Sequence, residues 1–206
     1  MTNRTKTTVS SRRNFLKTSL GAAAATGFPT IVPASVFGQL SPSNRINVGA
    51  IGVGRISRGH DLPGIWKYDQ ARIMAVCDLD AGRVELGKTL INSYYAKKTG
   101  KPYDGVTGYH HYRELLANKD IDAVVISTPD HQHAILAVDA VRAKKDVYLQ
   151  KPASLTIAEG RAMSDHVTAS KQILQIGSQQ RSWKQFHRAC ELVRKDRKST
   201  RLNSSH

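Results

Sequence analysis

The chain has 206 residues, of which 40% are hydrophobic, so it can fold at least one domain with a real core and is not a fully disordered chain. Its formal net charge of +15 at first suggests a nucleic-acid-binding protein. However, +5 of that charge lies in residues 1–40 and +6 in residues 181–206, while residues 41–180 carry 18 bases and 14 acids with no basic stripe among aromatic residues. Nucleic-acid binding is therefore not expected. With only two cysteines, Cys77 and Cys190, a disulfide framework is not indicated either.

The N-terminus has the features of an export signal. Residues 11–17 read Ser-Arg-Arg-Asn-Phe-Leu-Lys, the twin-arginine pattern, and a weakly apolar, Ala-rich stretch follows from Thr18 to Phe28. That stretch is too short to span a membrane stably, and no cysteine is present there for lipid attachment. We therefore expect residues 1–40 to be a signal peptide and linker that engages the twin-arginine translocase, leaving a periplasmic or extracellular protein without a stable membrane anchor.

From residue 41 to residue 180, short apolar runs alternate with helical patterns. Strands are predicted at 46–51, 71–77, 123–127, 146–149 and 173–176. Helices are predicted at 56–66, with a break at Pro63 and Gly64, and at 81–98, 112–118, 133–145 and 157–170. This alternation predicts an α/β fold, a Rossmann-type doubly wound parallel sheet covered by helices on both faces.

A glycine turn follows the first predicted strand. Gly52 permits a tight turn, and Gly54 lets the backbone approach a pyrophosphate with no side chain between them. The helix that begins with Arg55 and Ile56 offers its N-terminal N–H groups to the phosphates, and the small Ser57 occupies the third position of the fingerprint. The turn predicts a dinucleotide site, although by itself it is also compatible with an ordinary strand-to-helix connection.

An acid closes the second strand in the position that this kind of site requires. Asp78 lies 24 residues after Gly54, where a carboxylate accepts a hydrogen bond from the ribose 2′-hydroxyl and repels a 2′-phosphate. The sequence therefore favours NAD over NADP, while Arg83 nearby leaves NADP open.

Three further segments are Ser127–His133, Gln150–Pro152 and Gln175–Arg181. Together with the glycine turn, and in this order, they resemble the glucose–fructose oxidoreductase / inositol dehydrogenase family, Gfo/Idh/MocA, and most of all its exported members. The resemblance covers residues 46–194.

The resemblance implies roles for particular residues. Thr128, Pro129 and His133 would line the nicotinamide end of the cofactor, although His133 is also compatible with a purely structural place at a helix start. Gln150 stands where the family usually has Glu. Without that acid, it is open how the reactivity of Lys151 would be adjusted. Lys151 would lie beside the nicotinamide and the reacting sugar hydroxyl as the catalytic residue; its alternative is a solvated surface lysine.

The histidines of this region do not form a metal pattern. His110, His111 and His131 lie near His133 in sequence, but no carboxylate–histidine spacing accompanies them, so no metal is expected. His110 and His111 are expected on the surface before a helix.

The C-terminal part implies a second region. Arg181 and Trp183 would touch substrate or cofactor, or would belong to an interdomain hinge. The family continues into an α+β substrate domain, which the resemblance implies is largely missing here; residues 181–196 would be its start, and residues 197–206 do not resemble the family. The expectation is that the 206-residue chain binds dinucleotide without turnover, and that a full-length form is a homo-oligomer.

These inferences lead to one function with two alternatives. The first is an NAD(P)-dependent oxidoreductase that transfers hydride from a sugar, polyol or related carbinol, with a tightly bound cofactor that is loaded before export. The second is an NAD-dependent glycosidase of the same family that oxidises the sugar transiently. The third is a non-catalytic NAD-binding protein.

Overall fold

A computed structural model describes residues 44–195 of the protein. The predicted signal segment at 1–40 and the unusual segment at 197–206 lie outside the described residues. Within them, six parallel strands form one sheet in the order β3-β2-β1-β4-β5-β6. This order reverses between β1 and β4, which is the arrangement of a Rossmann-type sheet and confirms the predicted fold class. The strands are β1 Ile46–Ile51, β2 Ala71–Cys77, β3 Thr107–Tyr109, β4 Ala123–Ile126, β5 Asp146–Gln150 and β6 Leu174–Gly177.

Helices cover both faces of the sheet. They are α1 Leu62–Trp66, α2 Ala81–Thr99, α3 Tyr112–Ala117, α4 His133–Arg142, α5 Ile157–Ser170 and α6 Lys184–Lys195. One apolar cluster joins Leu62 of α1 and Ile91 of α2 to one face, and a second joins Leu115 of α3, Leu136 of α4 and Met163 of α5 to the other. Strands β1 and β4 contribute to both clusters, which explains why their sequences are continuous apolar runs rather than alternating ones.

The predicted break at Pro63 is wrong. A π-helical turn at Ser57–Asp61 leads directly into α1, and the Leu62 N–H donates to the Ser57 carbonyl. Proline lacks the N–H for the ordinary i→i−4 bond, and it is tolerated in the first positions of a helical segment. The wider turn before Pro63 therefore lets the helix continue to Trp66 and turns both Ser57 and Asp61 inward.

Two smaller differences have local causes. Strand β3 was not predicted, because three residues at a sheet edge carry too little pattern to distinguish them from a loop. The helix predicted to reach Lys145 ends at Arg142, because Lys144 adopts a left-handed φ of 59° and the Lys145 ammonium donates to the carbonyls of Asn118 and Ile121.

The register of the sheet aligns the strand ends. Ile51 lies beside Cys77 and Ile126, Ile126 beside Leu149, and Leu149 beside Ile176. The residues that come next in each strand therefore share one row at the carboxyl edge. They are Gly52, Asp78, Ser127, Gln150 and Gly177.

Candidate functional site

The glycine turn is shaped by both its backbone angle and its neighbours. Gly52 has a φ of +86°, and a Cβ there would lie 2.7 Å from the Ser127 carbonyl oxygen at the end of β4. A Cβ at Gly54, in contrast, would meet no protein atom within 4 Å. The fold therefore requires glycine at position 52, whereas at position 54 glycine keeps open the space that a pyrophosphate needs.

A helix begins directly after this turn. Its first i→i−4 hydrogen bond runs from the Arg58 N–H to the Gly54 carbonyl at 3.1 Å. The N–H groups of Arg55 and Ile56 consequently lie in the first turn, where no intrahelical acceptor is available, and both residues are exposed. Ser57 is fully buried, in keeping with the expected need for a small third residue. This arrangement suits an anion at the helix start.

Asp78 links the second strand to the glycine turn. Its Oδ2 accepts a hydrogen bond from the Val53 N–H at 2.8 Å, and its Oδ1 accepts one from the Asp80 N–H at 3.0 Å. Each oxygen keeps a further lone pair that a ribose hydroxyl can use. Arg83 lies 3.7 Å from Asp80 and makes a surface ion pair with it, so a nearby cation is already engaged.

His133 joins the two loops that were expected at the nicotinamide end. The residue is 1% exposed, and its Nε2 lies 2.9 Å from the Thr128 carbonyl oxygen while its Nδ1 contacts the carbonyl oxygen of Pro152. Both ring nitrogens are therefore engaged by backbone. The Thr128 hydroxyl oxygen, by contrast, is buried without a hydrogen-bond partner among the described residues, and this is the kind of orphaned polar atom that a ligand satisfies.

A second, independent link joins the same two loops through a buried carboxylate. Asp61 accepts from the Ser127 hydroxyl at its Oδ2 and from the Gln150 Nε2 at its Oδ1, both at 2.7 Å. The Gln150 Oε1 in turn accepts from the Lys151 N–H at 3.2 Å. Burial raises the pKa of the Tyr148 hydroxyl, and the charge of Asp61 raises it further. The Gln150 amide at the end of β5 is therefore hydrogen-bonded to Asp61, which belongs to the π-helical turn.

Asp61 was not predicted as a site residue from the sequence. A signal was present, because an acid four residues after Ser57 on the inward face of a helix is unusual unless it has partners inside. The π-helical turn that directs Asp61 inward could not be predicted from the sequence, because Pro63 was expected to break the helix there.

Lys151 follows this network at the end of β5. Its backbone is held by Gln150, while the side chain is exposed and its ammonium makes no hydrogen bond or ion pair within residues 44–195. An exposed ammonium at the carboxyl end of β5, without a protein partner in this part of the chain, can pair with an oxygen of a bound ligand. Gly52, Asp78, Thr128, Gln150 and Lys151 are thus brought to one edge of the sheet.

Arg181 and Trp183 lie further along, beyond β6. Arg181 lines a shallow cleft with Lys184, His187 and Glu191 of α6, and the Trp183 ring packs 6.0 Å from the Phe186 ring. Both side chains are exposed.

Neither a membrane-spanning helix nor a metal cluster is found in the part of the chain that the structure describes. His110 and His111 are exposed just before α3, as predicted.

A 3-2-1-4-5-6 parallel sheet, a glycine turn at its switch point and an acid at the end of β2 define a dinucleotide-binding Rossmann domain. The sequence profile of the oxidoreductase family with an NAD-binding Rossmann fold, Gfo/Idh/MocA, matches residues 46–178. The chain belongs to this family. A twin-arginine translocation signal matches residues 10–29, so the N-terminal segment is an export signal read by the twin-arginine translocase.

Individual relatives add detail. The chain is 35% identical over 162 residues to "Glycosyl hydrolase family 109 protein 2" of Shewanella sp. strain ANA-3, covering 72% of this chain and 35% of the relative. It is 28% identical over 137 residues to inositol 2-dehydrogenase of Salmonella paratyphi B, covering 66% and 38%. The WlbA dehydrogenase of Chromobacterium violaceum, solved with NADH and UDP-GlcNAcA, superposes with a TM-score of 0.61 at 22% identity, covering 74% and 41%. The chain thus spans little more than a third of the curated relatives it matches.

Proposed function

We propose that this chain forms the cofactor half of an NAD(P)-dependent oxidoreductase that acts on a sugar, a polyol or a related carbinol. The observation that carries the proposal is the carboxyl edge of the sheet. There the glycine turn after β1 and Asp78 after β2 lie in one row, and Lys151, which has no side-chain partner within residues 44–195, directly follows β5. Domain limits of 41–180 for the dinucleotide-binding part and 181–196 for the start of a substrate-binding part fit this division. Homo-oligomer formation belongs to the same proposal and is read out by sedimentation.

The dinucleotide would lie across the switch point. Gly52, Gly54, Arg55 and Ile56 would hold the pyrophosphate by backbone N–H groups, and Asp78 would accept hydrogen bonds from the ribose. Thr128 and Pro129 would contact the nicotinamide end. Asp78 and the engaged Arg83 favour NAD, with NADP as the alternative.

Lys151 is proposed as the catalytic residue. A nicotinamide held by the residues named above would supply the hydride acceptor for the carbinol carbon. The Lys151 side chain would orient the carbinol hydroxyl through its charge and would stabilise the negative charge that grows on the oxygen as its proton passes to solvent water. Because the ammonium is exposed and unpaired within residues 44–195, no group among those residues competes with the substrate oxygen for it.

A titration of the 206-residue chain with NADH, NADPH and ADP-ribose tests the cofactor part. We expect saturable NADH binding, and we expect Lys151→Ala to change ADP-ribose affinity by less than about twofold, because Lys151 lies at the opposite end of the proposed cofactor position from the ribose acid. Absence of any dinucleotide binding would contradict the proposal.

The match to a protein named as a glycosyl hydrolase supports a second candidate, a glycosidase that oxidises its sugar transiently. Glycoside release without net NADH formation supports this candidate, whereas net NADH or a keto product supports the oxidoreductase. NAD binding with neither outcome supports the third candidate, a non-catalytic NAD-binding protein.

Export by the twin-arginine route, which carries folded proteins, favours a cofactor that is bound in the cytoplasm and kept. We propose that the mature protein works in the periplasm or outside the cell with its dinucleotide tightly held. Co-purification of NAD(H) with protein from the exported fraction tests this, and the exported apoprotein alone would contradict it.

A further inference from the structure

The carboxylate of Asp61 connects three separate elements at one buried point. The residue lies at the end of the π-helical turn, Ser127 follows β4 and Gln150 ends β5. The Asp61 side chain is 1% exposed, and its two oxygens accept from Ser127 and Gln150 at 2.7 Å each. The helix after the phosphate turn is thereby tied to both loops that precede the proposed nicotinamide position.

Polar groups of three other residues lie around the Asp61 carboxyl group. Ser127 and Gln150 donate to it, and the His60 Nδ1 lies 3.5 Å from Oδ1 on the solvent side. No carbonyl oxygen is hydrogen-bonded to the carboxyl group within the described residues, so nothing there requires it to act as a donor. A carboxyl group whose two oxygens each accept from a good donor is well satisfied in a buried position.

We propose that Asp61 is a positioning residue that fixes Thr128 and Lys151 relative to each other for the nicotinamide end of the dinucleotide, and that the pair Asp61–Gln150 must carry one acid and one amide. The proposal rests on the proposed dinucleotide function. Through its hydrogen bond with Ser127, the carboxylate fixes the position of the loop that begins with Thr128. Through Gln150, whose other end holds the Lys151 N–H, it sets the loop that carries the lysine.

The hydrogen bond between Asp61 and Gln150 predicts opposite effects on NADH binding for the single substitutions and for the double substitution. Gln150→Glu places two buried carboxylates within hydrogen-bonding distance of each other. The two groups then either repel each other or must share a proton. Asp61→Asn leaves one carbonyl oxygen for two donors. The double variant Asp61→Asn with Gln150→Glu exchanges the two groups. The new amide at position 61 then donates to the new carboxylate at position 150, the amide oxygen accepts from Ser127, and one negative charge remains.

The experiment measures NADH and ADP-ribose affinity by calorimetry, together with the melting temperature, for the wild-type 206-residue chain and these three variants. Gln70→Glu is the control, because it introduces the same charge at an exposed turn before β2. We expect Gln150→Glu to weaken NADH binding by about tenfold or more and Asp61→Asn by less, while the double variant returns to within about threefold of wild type. ADP-ribose affinity should stay within about threefold throughout, because this ligand lacks the nicotinamide.

Equal losses of NADH and ADP-ribose affinity would overturn the proposal, because they would mean that Asp61 only holds the fold together. A double variant no better than Gln150→Glu would overturn it as well. If Gln150→Glu does not fold, the comparison of Asp61→Asn with the double variant decides, and weaker NADH binding by the double variant counts against the pairing. Failure of the wild-type chain to bind either ligand would instead remove the proposed function itself.

Discussion

The turn after β1 contains two glycines, Gly52 and Gly54, which are needed for different reasons. An alanine at Gly52 is opposed both by the φ of +86° and by the Ser127 carbonyl, 2.7 Å from the new Cβ, whereas an alanine at Gly54 meets no protein atom within 4 Å. Gly52→Ala should therefore lower the free energy of unfolding by about 2 kcal/mol or more. Gly54→Ala should leave it within about 0.5 kcal/mol of wild type but weaken NADH binding. Chemical denaturation and NADH titration of both variants check this, and equal stability losses would contradict it.

Asp78 decides between the two dinucleotides through its charge. Asp78→Asn keeps a side-chain oxygen for the Val53 N–H but removes the repulsion of a ribose 2′-phosphate. We expect the preference for NADH over NADPH to fall by about tenfold, which corresponds to about 1.4 kcal/mol. Parallel titrations with both cofactors measure it. Asp120→Asn, an exposed acid before β4, is the matched control and should leave the preference unchanged.

The two cysteines should differ sharply in reactivity. Cys77 is buried, and burial together with the charges of Asp78 and Glu114 raises its pKa to about 12, whereas Cys190 is exposed. Because the thiolate is the reactive form, a maleimide should label one site in the folded chain and two after denaturation, as counted by mass spectrometry. Labelling of Cys77 in the folded chain at neutral pH would contradict the placement.

The raised pKa of Cys77 also predicts how the free energy of unfolding changes at alkaline pH. A thiol whose pKa is raised by folding stabilises the folded chain fully below its unfolded pKa of 9.0. That contribution is lost as the pH rises towards about 12, because the unfolded chain ionises first.

At the scale of elements, the start of α5 supports the loop that carries Lys151. The Thr156 hydroxyl accepts from the Glu159 N–H at 3.2 Å, and Glu159 accepts from the N–H groups of Leu155 and Thr156 at 2.9 Å each. Thr156→Ala should cost about 1 kcal/mol of unfolding free energy, measured by denaturation, while Thr156→Ser should keep most of it. Equal losses in the two variants would contradict a capping role.

The sequence was sufficient for the central elements and for the site residues that follow them. The apolar runs of β1, β2 and β4 and the patterns of α2 and α5 predicted these elements to within a residue or two at each end, because burial on one or both faces leaves a clear pattern. The short edge strand β3 left none, and the helix through Pro63 depended on a π-helical turn that no local propensity signals.

The candidate site divides in the same way. Gly52, Asp78 and Lys151 lie where a strand ends, and sequence order alone predicts that parallel strand ends meet. Asp61 enters from a helix, and its contacts with Ser127 and Gln150 span 66 and 89 residues of sequence, so only the folded structure brings them together. The side-chain nitrogen of Gln150 donates to Asp61, which is distant in sequence, while its oxygen accepts from the neighbouring Lys151 N–H.

At the scale of the whole molecule, the N-terminal signal sets where the domain works. Replacing Arg12 and Arg13 by lysine keeps the charge but removes the guanidinium pair of the export pattern. We expect the doubly substituted chain to remain in the cytoplasm, as shown by cell fractionation. Arg4→Lys, outside the pattern, is the control and should be exported like wild type, and export of the doubly substituted chain would argue against this route.

The central position of β1 has a consequence for the order in which the protein is made. Strand β1 emerges from the ribosome first among the six, yet it pairs with β2 on one side and with β4 on the other. The wall behind the glycine turn, at Ser127, is therefore synthesised about 75 residues after the turn itself, which is several seconds at ordinary elongation rates. During that interval β1 can pair only with β2, so its β4 side stays open on an apolar segment close behind the export signal. We expect chaperones that shield nascent chains to bind this segment before the folded protein reaches the translocase.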